Sequence, residues 1–255
     1  MKRILLTGAT GGIGRHIAQA LAAAGHQLLL VARNEEALGE LAAALPGQHR
    51  ILALDLTAEQ APAQLQAACQ DGLDVLINNA GSNQLAAFVN TPWADIERQL
   101  QLNLWVPMRL CHALVGCLPT GGQIINIGSV LGEIGYPGYV TYGAAKGGLK
   151  RFSEALGREL SDQAIEVSYL APRATDTPLN SPAAKALNKA LGNQVDPPER
   201  VGAAVAELVS KPRRYRVIGF PESLFVRINA VLPAVVGGAI SKQLGTIKAH
   251  FKEPS

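Results

Sequence analysis

Aromatic side chains are scarce in this chain, with five Phe, five Tyr and two Trp among 255 residues, and no basic run is interleaved with them. A surface that stacks bases needs both, so no nucleic-acid partner is expected. The formal net charge of +3 is too small to alter that. Cysteine is scarcer still, since Cys69, Cys111 and Cys117 include no C-x-x-C pair. An odd count without paired spacing excludes a disulfide framework and predicts reduced thiols with no metal or redox role. The five histidines show no H-E-x-x-H or comparable ligand spacing, so no metal is assigned. The apolar run that opens the chain, Ile4 to Leu6, is too short for a signal-peptide core, and a cytoplasmic protein is expected.

What the chain does have is size and an ordinary balance. Its 255 residues reach the upper end for one domain, and 48% apolar with 17% charged side chains suits a globular protein rather than a disordered or fibrous one. Strand patterns at 3–7, 27–32, 50–54, 74–77, 123–128, 165–170 and 216–219 alternate with helical ones. The helical stretches are 15–24, 35–45, 61–69, 92–118 with an interruption near Pro107, the Tyr142 segment to about Leu160, and one to Ser210 with Asp196 as its cap. Such alternation predicts an α/β fold, a parallel sheet covered on both faces, without repeat or internal boundary.

The first strand runs into Thr7-Gly8-Ala9-Thr10-Gly11-Gly12-Ile13-Gly14 and then a helix. Strand, glycine turn and helix is the context of a dinucleotide-phosphate site, because glycines let the backbone approach a pyrophosphate and the helix N-terminus attracts it. Gly8, Thr10, Gly12, Ile13 and Gly14 are therefore candidate cofactor contacts. The second strand ends in Ala32-Arg33-Asn34, where an NAD site would carry an acid for the ribose 2′-hydroxyl. Arg33 suits a 2′-phosphate instead, so NADP(H) is the expected cofactor. Arg15 could assist it or simply be solvated. Asn78-Asn79 at the end of the fourth strand could cap turns or brace the sheet beside the cofactor.

The stretch Ser129 to Lys146 holds the candidate chemistry. Tyr142 and Lys146 are four apart, hence on one helix face, and a neighbouring ammonium would favour ionisation of the phenol and bring it toward the working range of a general acid. Ser129 follows the buried run Gln123 to Gly128 and would emerge at the carboxyl end of a strand, where ligands of open α/β sheets bind.

These motifs together resemble the short-chain dehydrogenase/reductase family over about residues 1–219. Five elements occur in order: the glycine turn Thr7 to Gly14, Asp55, Asn78-Asn79-Ala80-Gly81, Asn103, and Ser129 with Tyr142 and Lys146. The resemblance implies a single Rossmann-fold domain, a doubly wound seven-stranded parallel sheet in the order 3-2-1-4-5-6-7, with residues 220–255 as an arm of the same domain. It implies that Tyr142 gives a proton to a substrate oxygen while nicotinamide gives hydride to the carbon. Ser129 would bond the carbonyl, Lys146 would hold the ribose and lower the phenol's pKa, and Asn103 would fix a water relaying protons to Lys146. Asp55, with Leu56 beside it, would meet the adenine, and Asn79, Ala80 and Gly81 would line the adenosine pocket. Thr175 and Thr177 would meet the nicotinamide amide and the phosphates. One departure stands out: where members usually carry glycine after the sixth strand, this chain has Arg173.

The expected activity is NADP(H)-dependent interconversion of a carbonyl and a secondary alcohol on an apolar or acyl-like small molecule, by a homodimer or homotetramer. Two alternatives remain, a non-catalytic NADPH sensor and a membrane-associated interaction protein. The tail motivates the second: Lys211 to Ser255 has eight Lys and Arg against two Glu, +6, while the chain before it is −3. Leu224, Phe225, Ile228, Val231, Leu232, Val235 and Val236 recur there at helical spacing, with Pro233 and Gly237-Gly238 expected to bend or end the helix. An oligomer interface, an arm of the substrate pocket and a peripheral membrane contact all fit this pattern.

Overall fold

The computed structural model describes residues 1–251. Its centre is a parallel sheet of β1 (Arg3–Thr7), β2 (Gln27–Ala32), β3 (Arg50–Ala53), β4 (Val75–Asn78), β5 (Gln123–Ile127), β6 (Glu166–Ala171) and β7 (Tyr215–Val217). The strand order is β3-β2-β1-β4-β5-β6-β7, as expected. β1 shows why the strands are apolar throughout. Ile4 and Leu6 enter a core cluster on one face and Leu5 a cluster on the other, so consecutive side chains are buried on opposite sides. Each such buried side chain contributes about 2 kcal/mol relative to exposure.

On the first face α1 (Gly12–Ala23) packs against α8 (Pro198–Ser210), and a Cβ on Gly202 would stand 2.5 Å from the His16 carbonyl oxygen. The glycine contact brings the two backbones together. α2 (Glu35–Ala44) lies on the same side, its N-terminus capped by the Asn34 side chain, which accepts from the Ala37 N–H at 2.9 Å. The opposite face carries α3 (Ala61–Ala68), α4 (Trp93–Leu100), α5 (Val106–Leu114) and α6 (Val140–Glu159). Strand order reverses between β1 and β4, which opens a crevice at their carboxyl ends.

Four local expectations need correction. The first helix begins at Gly12, inside the glycine turn, rather than at Arg15. The break in the 92–118 stretch falls on 101–105, a π-helical turn in which the Val106 N–H reaches back to the Gln101 carbonyl. Pro107 offers no N–H to the Asn103 carbonyl four residues earlier, so the disturbance appears before the proline. Asp196 does not cap α8. Its buried carboxylate accepts from Arg173 Nη2 at 2.7 Å and Arg200 Nη1 at 2.8 Å instead. Finally, Pro233 does separate α9 (Glu222–Val231) from α10 (Pro233–Lys248), but Gly237 and Gly238 lie within α10 and do not end it. Proline at the first turn of a helix loses nothing, and helical glycines cost about 1 kcal/mol each, which the buried Val236 and Ile247 of α10 offset. Lys252 and Glu253 of the charged tail lie outside the described residues.

Candidate active site

Two cavities meet at the carboxyl end of the sheet. The larger, about 1180 Å³, runs along the crevice. The smaller, about 390 Å³, lies between the loops after β5 and β6, α7 (Pro182–Ala190) and the α9–α10 arm. Ile13, Gly128, Tyr142, Thr177 and Leu179 line both, so they form the shared wall.

The floor of the larger cavity is the glycine turn. Gly8 has φ +64°, a conformation that favours glycine, and a Cβ there would lie 2.8 Å from Ala80 Cα. A Cβ on Gly12 would meet Thr177 at 2.7 Å, and one on Gly14 would meet the Gly8 carbonyl oxygen at 2.1 Å. The N–H groups of Gly12, Ile13 and Gly14 open α1 and have no carbonyl inside the helix to bond. This floor fits an anionic diphosphate. Thr10, Arg33, Asp55, Leu56, Asn79, Ala80, Gly81, Asn103 and Lys146 also line this cavity. Arg33 is exposed at one end, and its charge helps hold the Asp55 carboxyl below its usual range, although the Thr57 N–H bond to Asp55 does more. Arg15 turns back to donate to the Thr10 carbonyl at 3.0 Å.

The asparagines brace rather than cap. Asn79 Nδ2 donates to the carbonyls of Thr7 and Gly8, and the Thr7 hydroxyl accepts from the Asn79 and Ala80 N–H groups at 2.9 and 3.1 Å. Behind them Asn78 donates to Asn126 and Asn126 to Ser153, a buried polar chain joining β4, β5 and α6. Asn103 is likewise committed: Nδ2 donates to the carbonyls of Ser82 and Gln99, both at 2.9 Å, and Oδ1 accepts from the Ser82 N–H. Its side chain therefore fixes the turn after Gly81 and makes no bond to Lys146.

Tyr142 and Lys146 face the crevice from α6, with the Lys146 nitrogen 5.8 Å from the Tyr142 ring centre and donating to the Ile127 carbonyl at 2.8 Å. Ser129 is on the smaller-cavity side, its hydroxyl accepting from the Leu131 N–H at 3.1 Å. Here the expected electrostatics reverse. Burial pushes the Tyr142 phenol up to about 12, against a smaller opposing pull from a hydrogen bond with Ser129, and burial draws Lys146 down to about 8. Desolvation is the dominant cause at both groups. Thr175 lines the smaller cavity and not the larger, with its hydroxyl donating to the Arg173 carbonyl.

One neighbour of the site, Tyr169, escapes sequence reasoning, and for another, Arg173, the position is legible but its partners are not. Tyr169 of β6 puts its hydroxyl between the halves of the site, accepting from the Ser129 N–H at 3.2 Å and donating to the Lys146 carbonyl at 3.1 Å. Its only signal is an aromatic within a short, mostly buried strand. Arg173 joins three segments, bonding Asp196, Glu222 of α9 and the Phe220 carbonyl. The replaced glycine flagged that position but not its partners.

The fold, the glycine turn and the Ser129, Tyr142 and Lys146 cluster coincide with a match to the short chain dehydrogenase family over residues 2–188, and the chain belongs to that family. It is 36% identical over 172 residues to the 3-oxoacyl-[acyl-carrier-protein] reductase of Mus musculus, a match covering 65% of this chain and 72% of that one. A short-chain dehydrogenase from Streptomyces avermitilis has the same architecture at 28% identity, with TM-score 0.80 over 97% of each chain. Angucycline C-6 ketoreductase LanV, solved with bound NADP, aligns at 27% identity and TM-score 0.78 over 85% of this chain and 93% of its own.

Proposed function

We propose that the chain is an NADP(H)-dependent oxidoreductase that interconverts a carbonyl and a secondary alcohol on an apolar small molecule, with Tyr142 as the general acid/base. The observation that carries this reading is the position of Tyr142 on the wall shared by a dinucleotide-sized crevice and a smaller cavity with an apolar lining, Ser129 on one side and Lys146 on the other. Arg33 at the end of the crevice supports NADP(H) over NAD(H), and the NADP bound by LanV agrees with it.

When bound, the dinucleotide supplies hydride to the carbonyl carbon. The chain's own residues manage the oxygen. The Tyr142 phenol holds the proton for it, and a phenol kept protonated to about 12 is available as a donor throughout the neutral range. The Ser129 hydroxyl donates to the same oxygen and holds it beside the phenol. Lys146, anchored on the Ile127 carbonyl, is positioned to hold a ribose hydroxyl in the crevice. Leu131, Ile134, Leu187 and Phe225 give the smaller cavity walls suited to an acyl chain or fused rings. A homo-oligomer in the cytoplasm fits this reading, with Trp105 and Met108 exposed on the outer side of the 101–114 segment as its apolar contact.

The test is a fluorescence titration with NADPH and NADH, followed by NADPH oxidation against ketones, β-ketoacyl thioesters, quinones and aldehydes. We expect NADPH to bind at least tenfold more tightly than NADH, with turnover on an apolar ketone or thioester. Tyr142→Phe should lower kcat on the order of a hundred- to ten-thousand-fold and leave NADPH affinity nearly unchanged. Tight binding without turnover on the whole panel would point to a sensor.

A further inference from the structure

Fourteen consecutive residues, 228–241, carry no charge, and they span the end of α9, the turn at Leu232 and the first half of α10. That turn is exposed: Val231 is 77% accessible, Leu232 56% and Val235 60%, with Leu224 and Phe225 nearly half accessible on the preceding helix. Apolar side chains grouped in this way mark an interaction surface. The turn is held firmly rather than loose. Arg173 bonds Glu222 at 2.9 Å, Asn229 Nδ2 donates to the Glu133 carbonyl at 3.0 Å, and Val226, Val236 and Ile247 are buried against the body of the protein.

The same turn is a wall of the smaller cavity. Phe225 and Val235 line that cavity and are also open to solvent, so they form its rim. Past Glu222, which Arg173 pairs, the charges of α9 and α10 have one sign. Residues 223–251 contain Arg227, Lys242 and Lys248, all exposed, and no Asp or Glu. No helix among the described residues is long and apolar enough to cross a membrane.

We propose that the α9–α10 turn docks on the surface of an anionic lipid bilayer, with Val231, Leu232 and Val235 among the acyl chains and the three cations at the headgroups. The rim of the smaller cavity then faces the lipid, and an apolar substrate enters from the bilayer. This entry route rests on the reading of that cavity as the substrate site. An uncharged apolar tip flanked by cations matches an anionic interface in both layers, apolar and charged. A second copy of the chain fits less well, because a two-fold pairing of this surface would bring like charges together with no acid in 223–251 to oppose them.

The test is flotation of the full chain with vesicles of equal phosphatidylcholine and phosphatidylglycerol, and with phosphatidylcholine alone, at low and high salt. The chain should float with the anionic vesicles, about tenfold less with the neutral ones, and be partly released by salt. V231D/L232D, at two positions outside both cavity linings, should lose flotation at least tenfold while binding NADPH normally. R227Q/K242Q/K248Q, which leaves the apolar tip intact, should lose roughly fivefold for each cation removed. A long-chain ketone carried in the anionic vesicles should be reduced faster by the native chain than by V231D/L232D, and a short water-soluble ketone equally by both. Failure of the native chain to float overturns the proposal. So does a native assembly that V231D/L232D dissociates without any flotation, which would give this surface to a second copy. Flotation needs no turnover, so a chain that floats but reduces nothing keeps the docking surface and loses the reductase, and one that reduces but does not float does the opposite.

Discussion

Lys146 is the residue at which burial and charge oppose each other most directly. Its pKa in the folded, cofactor-free protein is drawn from 10.5 to about 8 by desolvation. Between those values the unfolded chain binds more protons at this position than the folded one, so this group's contribution to stability improves as pH rises through the window. Below about 8 the penalty is fully present, on the order of a few kcal/mol. Lys146→Met should therefore raise the Tm at pH 7 by more than it does at pH 10, as calorimetry would show. A difference independent of pH would mean that Lys146 is not desolvated. Tyr169 works through its neighbours. Tyr169→Phe leaves a buried Ser129 N–H and the Lys146 carbonyl each one partner short, a loss of about 1–3 kcal/mol. We expect kcat to fall about tenfold with NADPH affinity nearly unchanged, since the glycine turn, Arg33 and Asp55 of the larger cavity make no hydrogen bond with Tyr169. An equal loss in both would reduce Tyr169 to a core residue.

At the scale of elements, the ionic group around Arg173 decides how the arm is held. Its guanidinium is 6% exposed and the Asp196 carboxylate 4%, and both have a further polar atom without a partner. Desolvation would raise the Asp196 carboxyl, but hydrogen bonds from Arg173 and Arg200 outweigh it and hold the group below its usual range. Removing one member of such a pair costs more than the pair contributes, about 3–5 kcal/mol. Arg173→Met should lower the Tm and expose the chain after β7 to limited proteolysis, whereas Glu222→Gln, at a more exposed carboxylate, should do less. Cleavage at equal rates in the two variants would show that the arm is held by its apolar contacts alone.

The same elements show what was legible in the sequence and why the rest was not. Strand positions follow from apolar runs, and the crevice from glycines whose spacing the backbone itself requires. Strand order and the expected roles of Asn103, Ser129 and Thr175 rest on resemblance, and the partners of the Asn103 and Thr175 side chains, the Ser82 and Gln99 carbonyls and the Arg173 carbonyl, have no signal in a local pattern. The direction of the Tyr142 shift was not legible, because a four-residue spacing reports closeness to Lys146 and says nothing of how much protein covers both groups. The partners of Arg173 lie 23 and 49 residues away along the chain, beyond any local pattern.

For the molecule as a whole, the thiols report on the integrity of one core face, the one opposite α1 and α8. Cys69 and Cys111 sit in the cluster that packs α3, α5 and α6 on the sheet, and burial pushes them up to about 11 and 12. Cys117 is only partly covered. A thiol reagent at neutral pH should therefore modify no more than one cysteine in the native chain and all three after denaturation. Two or more reacting at native rates would mean that this face opens without global unfolding.

The two cavities also differ in when they can exist. Every residue lining the larger one lies between Gly8 and Leu179, while the smaller one draws on residues as late as Gln243. During synthesis the crevice has all of its lining some sixty residues before the neighbouring chamber receives its last wall. A nascent chain thus has the groups for gripping a nucleotide well before it can enclose anything for that nucleotide to act upon, so the arm completes the protein both in space and in time.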